Sequence, residues 1–366
     1  MIYYIGENIT STHTGADVVN LRNISILKKV FRERFDIINI TYVSKYITFL
    51  NLLIGCMCGL SPYNLFKIVR IIKQNRDSHI FLSSSKLGIL AYFLKKYMRK
   101  GKICVFFHNI EKQYMNEEYR VNKNFKNWLI LKITSFNEKL SCKYGDYFIV
   151  LNNRDKSLLQ SYYNLQASLI LPISFEDKYN EDKANSIQKN NSYFNLLFVG
   201  SAFFANIEAV KWFTSEVMPQ LPNCKLTIVG NKMNEHFHSS DNIEVHGYVD
   251  DLSIFYYQCD MVVSPILSGG GMKTKTAEAL MYGCPIIGTK EAFEGFDLNT
   301  DEIGACCNQS TEMVNAIKDY MHNPQKLKKC SNYARSVFKS LYTVESSTNM
   351  LGNFVKKEGL LINRKI

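Results

Sequence analysis

The sequence predicts an α/β protein with two doubly wound domains, each a parallel sheet covered by helices on both faces. Short apolar segments alternate with helical patterns along most of the chain. A length of 366 residues exceeds one ordinary hydrophobic core and suits two domains. Between the two alternating sets, residues 176–192 lose their apolar content and become rich in Asn, Lys and Asp, so we predict a linker there.

The first domain is predicted to span residues 1–175. Its strands are predicted from five short apolar segments: Ile2–Ile5, Ile37–Val43, Ile80–Leu82, Ile103–Phe107 and Tyr147–Leu151. The helical patterns between them are Val18–Arg34, Tyr63–Gln74, Leu87–Arg99 and Phe125–Lys143. Because parallel strands need crossover connections, this alternation favours a single parallel sheet.

The second domain is predicted to span residues 193–340. Its predicted strands are Phe194–Val199, Lys225–Val229, Ile243–Val245, Met261–Ile266 and Pro285–Gly288. Its predicted helices are Asn206–Met218, Leu252–Gln258, Lys273–Tyr282, Thr311–Met321 and Pro324–Phe338. Within the remaining segment, 341–366, the pattern predicts a helix over Val344–Lys357 but does not assign it to a domain. Packing against the N-terminal domain is one hypothesis.

Composition excludes several classes of protein. The hydrophobic fraction of 46% and charged fraction of 21% are those of a soluble globular protein. The formal net charge of +11 favours an acidic ligand or an anionic surface. Nucleic acid would satisfy that charge, but the lysines are scattered and no arginine-rich arm accompanies them, so we predict no nucleic-acid partner. An enzyme for phosphorylated or membrane-borne substrates fits better.

Cysteine usage and the N-terminus predict a cytoplasmic protein. The ten cysteines show no disulfide or zinc-finger spacing, and Met1–Gly6 is predicted to begin directly as a strand rather than as a signal peptide. The longest apolar run, Tyr46–Leu60, is too short to cross a membrane, so a buried or surface-inserted helix is predicted. Lys45 and Lys67 beside it keep peripheral contact with the inner face of the cytoplasmic membrane open.

The most informative local feature is three consecutive glycines, Gly269, Gly270 and Gly271, between a predicted strand and a predicted helix. Glycines let backbone N–H groups approach an anion closely, and the following helix N-terminus adds positive partial charge. Lys275 and Glu278 lie three residues apart, which places them on one helix face. The run matches neither a Walker A loop nor a dinucleotide fingerprint. It predicts a site for a phosphate-bearing ligand with hydroxyls; a plain glycine-rich turn is the alternative.

Several motifs in fixed order resemble the donor domain of retaining glycosyltransferases of the family-4 type (glycosyl transferases group 1). They are Leu196–Ser201, Asn206–Phe213, Thr227–Gly230, Val245–Asp251, Cys259–Pro265, the triglycine helix, Gly283–Ile287 and Glu294–Phe296. The resemblance covers roughly residues 194–300 and is diffuse elsewhere. It implies the GT-B fold, in which two Rossmann-like domains flank an interdomain cleft.

The resemblance also implies roles for individual residues. Glu278 matches the glutamate that accepts hydrogen bonds from the donor ribose. The donor-binding candidates are Gly269, Gly270, Gly271 and Met272 at the diphosphate and sugar, Tyr248 and Val249 at the nucleobase, and Gly200, Ser201 and Gly230 at the matching strand ends. Gly15 matches a glycine turn that faces the donor phosphates.

The sequence departs from the family pattern in two places. An acidic residue common in the family is Gly270 here, which removes one carboxylate contact to the donor sugar. The Arg and Lys that usually follow the first strand of the donor domain are missing from Ser201–Asn206. Lys273 and Lys275 are therefore our candidates for neutralising the diphosphate, and Lys275 is preferred because it shares a face with Glu278.

Two candidate catalytic residues lie in the N-terminal domain. His108 follows the strand Ile103–Phe107, where a polar side chain faces a cleft rather than the core. The family places a histidine there, near the reacting sugar. Glu111 follows closely and could orient the acceptor or His108. For His108, a purely structural role is the alternative.

The implied reaction is transfer of a sugar from a UDP- or GDP-sugar to a glycan or lipid-linked acceptor with retention, in synthesis of a bacterial capsule, O-antigen or exopolysaccharide. No Asp-x-Asp motif is present, so we expect neither a metal ion nor another cofactor. A nucleotide-sugar 2-epimerase of similar fold would need more acid and base side chains than the site offers. A catalytically silent nucleotide-sugar-binding protein is the other alternative.

Overall fold

The computed structural model describes residues 1–9, 15–41, 44–189, 192–268 and 272–360. The chain forms two compact units, one made of Met1–Pro172 with the C-terminal residues from Ser347, the other of Ile173–Ser346. Within the described residues, each unit holds one six-stranded, fully parallel sheet with helices around it. The predicted α/β class with two doubly wound sheets is confirmed.

The first unit contains strands β1 to β6 and helices α1 to α7. The strands are β1 (Ile2–Glu7), β2 (Phe35–Ile40), β3 (His79–Leu82), β4 (Ile103–Phe107), β5 (Tyr147–Val150) and β6 (Leu169–Ile170). The helices are α1 (Gly15–Phe31), α2 (Lys45–Leu53), α3 (Pro62–Gln74), α4 (Gly88–Tyr97), α5 (Glu111–Val121), α6 (Phe125–Tyr144) and α7 (Asn153–Tyr163). The strand order is β2-β1-β3-β4-β5-β6, so the winding reverses between β1 and β3.

Local chemistry explains these elements. β3 and β4 are buried along their whole length, as expected for parallel strands covered on both faces. Ser61, Asn124 and Asn152 cap α3, α6 and α7, each accepting a hydrogen bond from a backbone N–H of the first helical turn. These caps fix where the helices begin.

The second unit contains strands β7 to β12 and helices α8 to α14. The strands are β7 (Phe194–Val199), β8 (Cys224–Val229), β9 (Ile243–His246), β10 (Met261–Ser264), β11 (Ile286–Gly288) and β12 (Gly304–Cys306). The helices are α8 (Glu181–Ser186), α9 (Phe204–Trp212), α10 (Ser253–Gln258), α11 (Thr274–Met281), α12 (Thr300–Ile303), α13 (Ser310–His322) and α14 (Pro324–Val337). The strand order is β12-β11-β10-β7-β8-β9.

The boundaries differ from the predicted ones in identifiable ways. The first unit ends at Pro172, and residues 176–189, predicted as a linker, lie in the second unit. Polar contacts hold that segment and its helix α8: the N–H of Asn180 donates to Tyr257 Oη at 2.8 Å, and Lys183 Nζ lies 2.6 Å from Asp251 Oδ2. Tyr179 also packs edge-on against Tyr257, with ring centres 5.8 Å apart, and composition does not show such partners because they lie far along the chain.

The last helix, α15 (Val344–Lys357), belongs mostly to the first unit. Phe354 packs edge-on against Tyr147 of β5, with ring centres 5.4 Å apart. The predicted strand Ile37–Val43 is β2, which begins two residues earlier and ends at Ile40. Among the described residues, no helix is both long and apolar enough to cross a membrane.

Candidate functional site

The strand order of the second unit indicates where a ligand would bind before any side chain is considered. The winding reverses between β7 and β10, and ligands of open α/β sheets bind outside the carboxyl ends of the strands at such a reversal. Gly200 and Ser201 directly follow β7, and Pro265 directly follows β10. α11, which holds the predicted ligand residues Lys275 and Glu278, begins a few residues further along the chain.

Gly200 and Gly230 bring two of these strand ends close together. A Cβ atom at Gly230 would lie 1.9 Å from the carbonyl oxygen of Gly200. A Cβ atom at Gly200 would lie 2.8 Å from Nδ2 of Asn206, whose amide donates to the Ser201 carbonyl at 2.8 Å. The backbone contact requires a glycine at position 230, whereas a side chain at position 200 would displace the Asn206 amide.

Within the described part of the chain, the Lys275 ammonium has one hydrogen-bond partner. Its Nζ atom lies 2.5 Å from Oδ1 of Asn206 and 4.8 Å from the centre of the Phe198 ring. Burial lowers the pKa of Lys275 to about 7, with a further contribution from the neighbouring Lys273, while Glu278 opposes the shift. An anion beside this ammonium would restore its charge.

Glu278 lies one turn along α11 from Lys275, as the spacing predicted. Its Oε2 atom accepts a hydrogen bond from Tyr256 Oη at 3.3 Å, and the Tyr256 ring stacks on Tyr282 at 4.7 Å. Burial raises the pKa of Glu278, and the hydrogen bond from Tyr256 opposes that rise. Tyr256 thus positions the carboxylate, which can accept hydrogen bonds from hydroxyl groups of a ligand.

Lys273 has a partner that the sequence did not predict. Its Nζ atom lies 2.6 Å from Oε1 of Glu291, which belongs to the short helical turn Lys290–Phe293 after β11. Burial raises the pKa of Glu291, and Lys273 opposes that rise. Because a carboxylate already compensates Lys273, its charge is less available to a ligand than that of Lys275.

Of the remaining predicted donor-binding residues of the second unit, three are described by the structure and three are not. Tyr248 and Val249 follow β9 closely, and the Tyr248 side chain is 73% exposed, as a stacking surface for a base must be. Met272 is partly buried just before α11. Gly269, Gly270 and Gly271 lie outside the described residues.

His108 follows β4 in the first unit, as predicted, but its environment makes it neutral. Its Nε2 atom lies 3.1 Å from the Ser83 carbonyl oxygen and 3.2 Å from Asn20 Oδ1. A carbonyl oxygen can only accept, so Nε2 carries the proton. Burial, reinforced by nearby Lys86, lowers the pKa of His108 to about 3.

Glu111 is buried at the first turn of α5 and is engaged by Lys86, whose Nζ lies 3.4 Å from Glu111 Oε1. Its backbone N–H donates to Oε2 of Glu138 at 2.8 Å. Glu138, fully buried on α6, also accepts from the N–H of Lys112, from Ser85 and from Tyr163. Glu138 therefore caps α5 from a distance, and burial raises its pKa.

Sequence reasoning missed Glu138, Asn206 and Arg22. Glu138 is the lone carboxylate of α6, a signal that could have marked it. Arg22 on α1 is 5% exposed, its guanidinium nitrogens have no hydrogen-bond partner among the described residues, and burial lowers its pKa to about 9. Gly15 opens the same helix, and a Cβ atom there would meet nothing within 4 Å.

Part of the sequence of the second unit matches a known family. Residues 193–323 match the family described as "Glycosyl transferases group 1". The matched segment spans the strands, the glycine turns and α11 described above, and it ends between α13 and α14.

Solved structures resemble the whole chain in fold. HepE of Anabaena, solved in complex with UDP and glucose, aligns with a TM-score of 0.67 at 11% identity, over 97% of this chain and 99% of that one. Sucrose-phosphate synthase from Thermosynechococcus elongatus aligns with a TM-score of 0.70 at 14% identity, over 98% and 99%. The two units therefore share the GT-B fold of these proteins.

A curated relative comes from Klebsiella pneumoniae and is described as an "Uncharacterized 44.6 kDa protein in cps region". It is 24% identical over 261 residues, which are 64% of this chain. The match spans 63% of the length of that relative.

Proposed function

We propose that the protein is a glycosyltransferase that moves a sugar from a nucleoside diphosphate sugar to a glycan or lipid-linked acceptor. One observation carries this proposal: Lys275 and Glu278 stand one turn apart on α11, beside the point where the winding of the second sheet reverses. A cation for a diphosphate and a carboxylate for hydroxyls are the two groups that such a donor requires.

Glu278 binds the ribose in this proposal. An ionised carboxylate accepts hydrogen bonds from two neighbouring hydroxyls at once. Tyr256 Oη, 3.3 Å from Glu278 Oε2, holds one oxygen and leaves acceptor capacity for the ligand. Because burial disfavours the charged carboxylate, hydroxyl donors would stabilise it strongly.

Lys275 neutralises the diphosphate. Negative charge builds on the diphosphate as the bond to the sugar breaks, and a fixed ammonium stabilises that charge without reorganising. Asn206 positions Lys275 for this role. Asn206 itself ends the segment Ser201–Asn206, which lacks the arginine and lysine usual in the family. The proposed reaction therefore needs no metal ion, and excess EDTA should leave the rate unchanged.

In this proposal Tyr248 contacts the nucleobase of the donor. Our first choice of nucleotide is UDP, whose base is uracil. The exposed ring offers a flat face on which a base can stack. HepE, which shares the fold, was solved with UDP, and this supports a uridine donor over a guanosine donor. The sugar itself is not selected by any residue described above.

The transfer is proposed to proceed with retention at the anomeric carbon. The acceptor hydroxyl attacks from the face that the diphosphate leaves, and its proton passes to a leaving phosphate oxygen. Neutral His108 would act as a hydrogen-bonding group for the reacting sugar rather than as a base, because its pKa is lowered to about 3. Glu111 would orient the acceptor or His108.

A role in bacterial surface polysaccharide synthesis is supported by the relative in a "cps region". Such a transferase would work in the cytoplasm, where nucleotide sugars are made, or on the inner face of the cytoplasmic membrane. The acceptor is a growing glycan or a lipid-linked sugar.

Titration calorimetry with UDP, GDP and dTDP tests the donor proposal. We expect UDP to bind the wild type and to bind Glu278→Gln at least about tenfold more weakly, since a charge-assisted hydrogen bond is lost. Glu216→Gln, on the exposed π-helical turn after α9, is the matched control and should bind normally. Equal affinity of the Glu278 variant would remove this residue from the site.

Turnover separates a transferase from a silent binder. The protein is incubated with a panel of UDP-sugars and membrane or glycan extracts, and UDP release is measured. Acceptor-dependent release supports the transferase, and NMR of the product anomeric proton tests retention. Tight UDP binding without release for any sugar would instead favour a silent nucleotide-sugar-binding protein.

A further inference from the structure

Helix α6 has its polar and apolar faces exchanged relative to an ordinary surface helix. The residues that it buries are Thr134, Asn137, Glu138, Ser141 and Cys142. Its exposed face carries aromatic rings, with Phe125 75% exposed and stacked on Trp128 at 5.7 Å. A surface helix normally turns its aromatic residues inward, so the exposed face needs a partner.

Helix α2 repeats this arrangement. On α2, the polar Asn51 is buried, while Tyr46 is 86% exposed and Phe49, Leu50 and Leu53 are exposed as well. Helix α3 buries Ile68, Val69 and Ile72 in the ordinary way, but its Tyr63 and Phe66 rings are exposed. The run from Tyr46, for which a buried or surface-inserted helix was predicted, begins with helix α2, and most of the apolar side chains of that helix are exposed.

The three helices lie on one surface of the first unit. Nδ2 of Asn137 on α6 donates to the carbonyl of Gly55, just after α2, at 2.8 Å. A cleft of about 510 Å³ is lined by Ile54 after α2, Pro62 and Leu65 of α3, and Phe136 and Leu140 of α6. The cleft thus joins the end of α2 to α3 and α6, and we call the exposed residues of these three helices the α2–α3–α6 surface.

Basic side chains are interleaved with the rings on this surface. Lys132, Lys139 and Lys143 follow Phe125 and Trp128 at helical spacing on the exposed face of α6, and Lys132 Nζ lies 5.9 Å from the Trp128 ring. On α3, the exposed Lys67 and Arg70 follow the exposed rings of Tyr63 and Phe66 at helical spacing. Residues 44–74 contain no Asp or Glu, and Glu138, the single carboxylate of α6, is buried.

We propose that the α2–α3–α6 surface docks on an anionic lipid bilayer. Aromatic rings insert at the headgroup level, lysine stems lie along them, and the ammonium groups meet lipid phosphates. A protein partner fits less well, because protein interfaces are depleted in lysine while they are enriched in aromatic residues. The proposal is independent of the donor site, since it involves no residue of the second unit.

Vesicle flotation tests the proposal on the full-length protein. We expect the wild type to float with vesicles of phosphatidylcholine and phosphatidylglycerol, and to stay unbound with phosphatidylcholine alone. High salt should weaken binding because it screens the lysines. A wild type that does not bind the anionic vesicles would overturn the proposal.

Two paired variants separate rings from charges. Phe125→Ser with Trp128→Ser should abolish flotation. Lys139→Glu with Lys143→Glu should lower the partition coefficient roughly 30-fold, given the attraction of each lysine to anionic lipid. The charge-matched control, Lys328→Glu with Lys329→Glu on exposed positions of α14, should bind like the wild type. Equal loss in the control would mean unspecific attraction and contradict the proposal.

Light scattering and UDP calorimetry complete the test. Unchanged UDP affinity in both paired variants shows that they fold and keeps this result separate from the proposed transferase activity. Dimerisation of the wild type that disappears in the Phe125/Trp128 variant would identify a second copy as the occupant, and it would overturn the bilayer proposal.

Discussion

The Nζ atom of Lys275 lies 2.5 Å from Oδ1 of Asn206, and this neutral oxygen is a weak partner for a buried ammonium. The Phe198 ring, 4.8 Å away, adds only a modest cation–π attraction. Burial therefore lowers the pKa of Lys275 to about 7. A diphosphate beside Lys275 would supply the charge that Asn206 lacks, so ligand binding and protonation of Lys275 should be linked.

Lys275→Met should weaken UDP binding roughly 10- to 100-fold, the range of a charge-assisted hydrogen bond of about 1.5–3 kcal/mol. The substitution keeps the length of the stem while it removes the charge. Titration calorimetry near neutral pH measures the dissociation constants. Lys328→Met, on an exposed position of α14, is the control. Equal affinity of wild type and Lys275→Met would place the diphosphate elsewhere.

UDP affinity should fall as the pH rises above about 7. Free Lys275 loses its proton there, whereas a bound diphosphate raises the pKa again and so requires uptake of a proton. The dissociation constant should rise by up to about tenfold per pH unit, while the terminal phosphate of UDP, with its pKa near 6, stays ionised. Calorimetry between about pH 7.5 and 9 gives this slope.

Lys275→Arg tests the origin of that slope. An arginine stays protonated throughout this pH range, so its UDP affinity should hardly change with pH. A slope that persists in the arginine variant would show that another group titrates.

The sequence predicted what depends on neighbours along the chain. The alternation of strands and helices predicted both parallel sheets, and the spacing of Lys275 and Glu278 predicted that they share one helix face. The sequence could not predict which distant residues become partners on folding. Lys273 contacts Glu291 across β11, and Asn206 reaches Lys275 from the other side of the strand reversal, 69 residues away. Such pairs leave no periodic signal.

Helix orientation failed for a related reason. A periodic pattern shows that a helix has two faces, but it does not show which face meets the core. On α6, the aromatic face is outside because Glu138 and Asn137 make specific buried hydrogen bonds. Their partners include Glu111 and Gly55, which lie far away in the sequence.

Gly230→Ala should destabilise the second unit by about 1–3 kcal/mol, the usual cost of overpacking. The new Cβ would lie 1.9 Å from the carbonyl oxygen of Gly200, so backbone must shift. Gly15→Ala is the control, because its Cβ would meet nothing within 4 Å, and it should leave stability unchanged or raise it by up to about 1 kcal/mol. Urea unfolding measures both. Equal stability of the two variants would contradict the close approach.

Glu138→Gln should lower the free energy of unfolding by about 1–3 kcal/mol. The carboxylate accepts four hydrogen bonds, from the N–H groups of Glu111 and Lys112, from Ser85 and from Tyr163. A glutamine amide replaces one acceptor with a donor and leaves buried donors facing each other. Glu117→Gln, exposed on α5, is the control and should have little effect in the same urea titration. A neutral Glu138→Gln would mean that the cap contributes nothing.

His108 should remain neutral across the physiological pH range. Its Nε2–H donates to Ser83 and Asn20, and burial lowers its pKa to about 3, so ring nitrogen shifts measured by NMR should not change between about pH 5 and 8. His108→Gln identifies the signals by their absence.

Stability gives an independent check on the same histidine. In the unfolded chain His108 takes up a proton below about pH 6.5, whereas the folded protein does so only near pH 3. Between these values the unfolded state binds more protons, so the free energy of unfolding falls as the pH falls. The wild type should lose up to about 1.4 kcal/mol per pH unit more than His108→Gln over this range. Parallel urea-unfolding profiles for the two proteins would show that His108 titrates normally, and its assignment as a neutral hydrogen-bonding group would then be wrong.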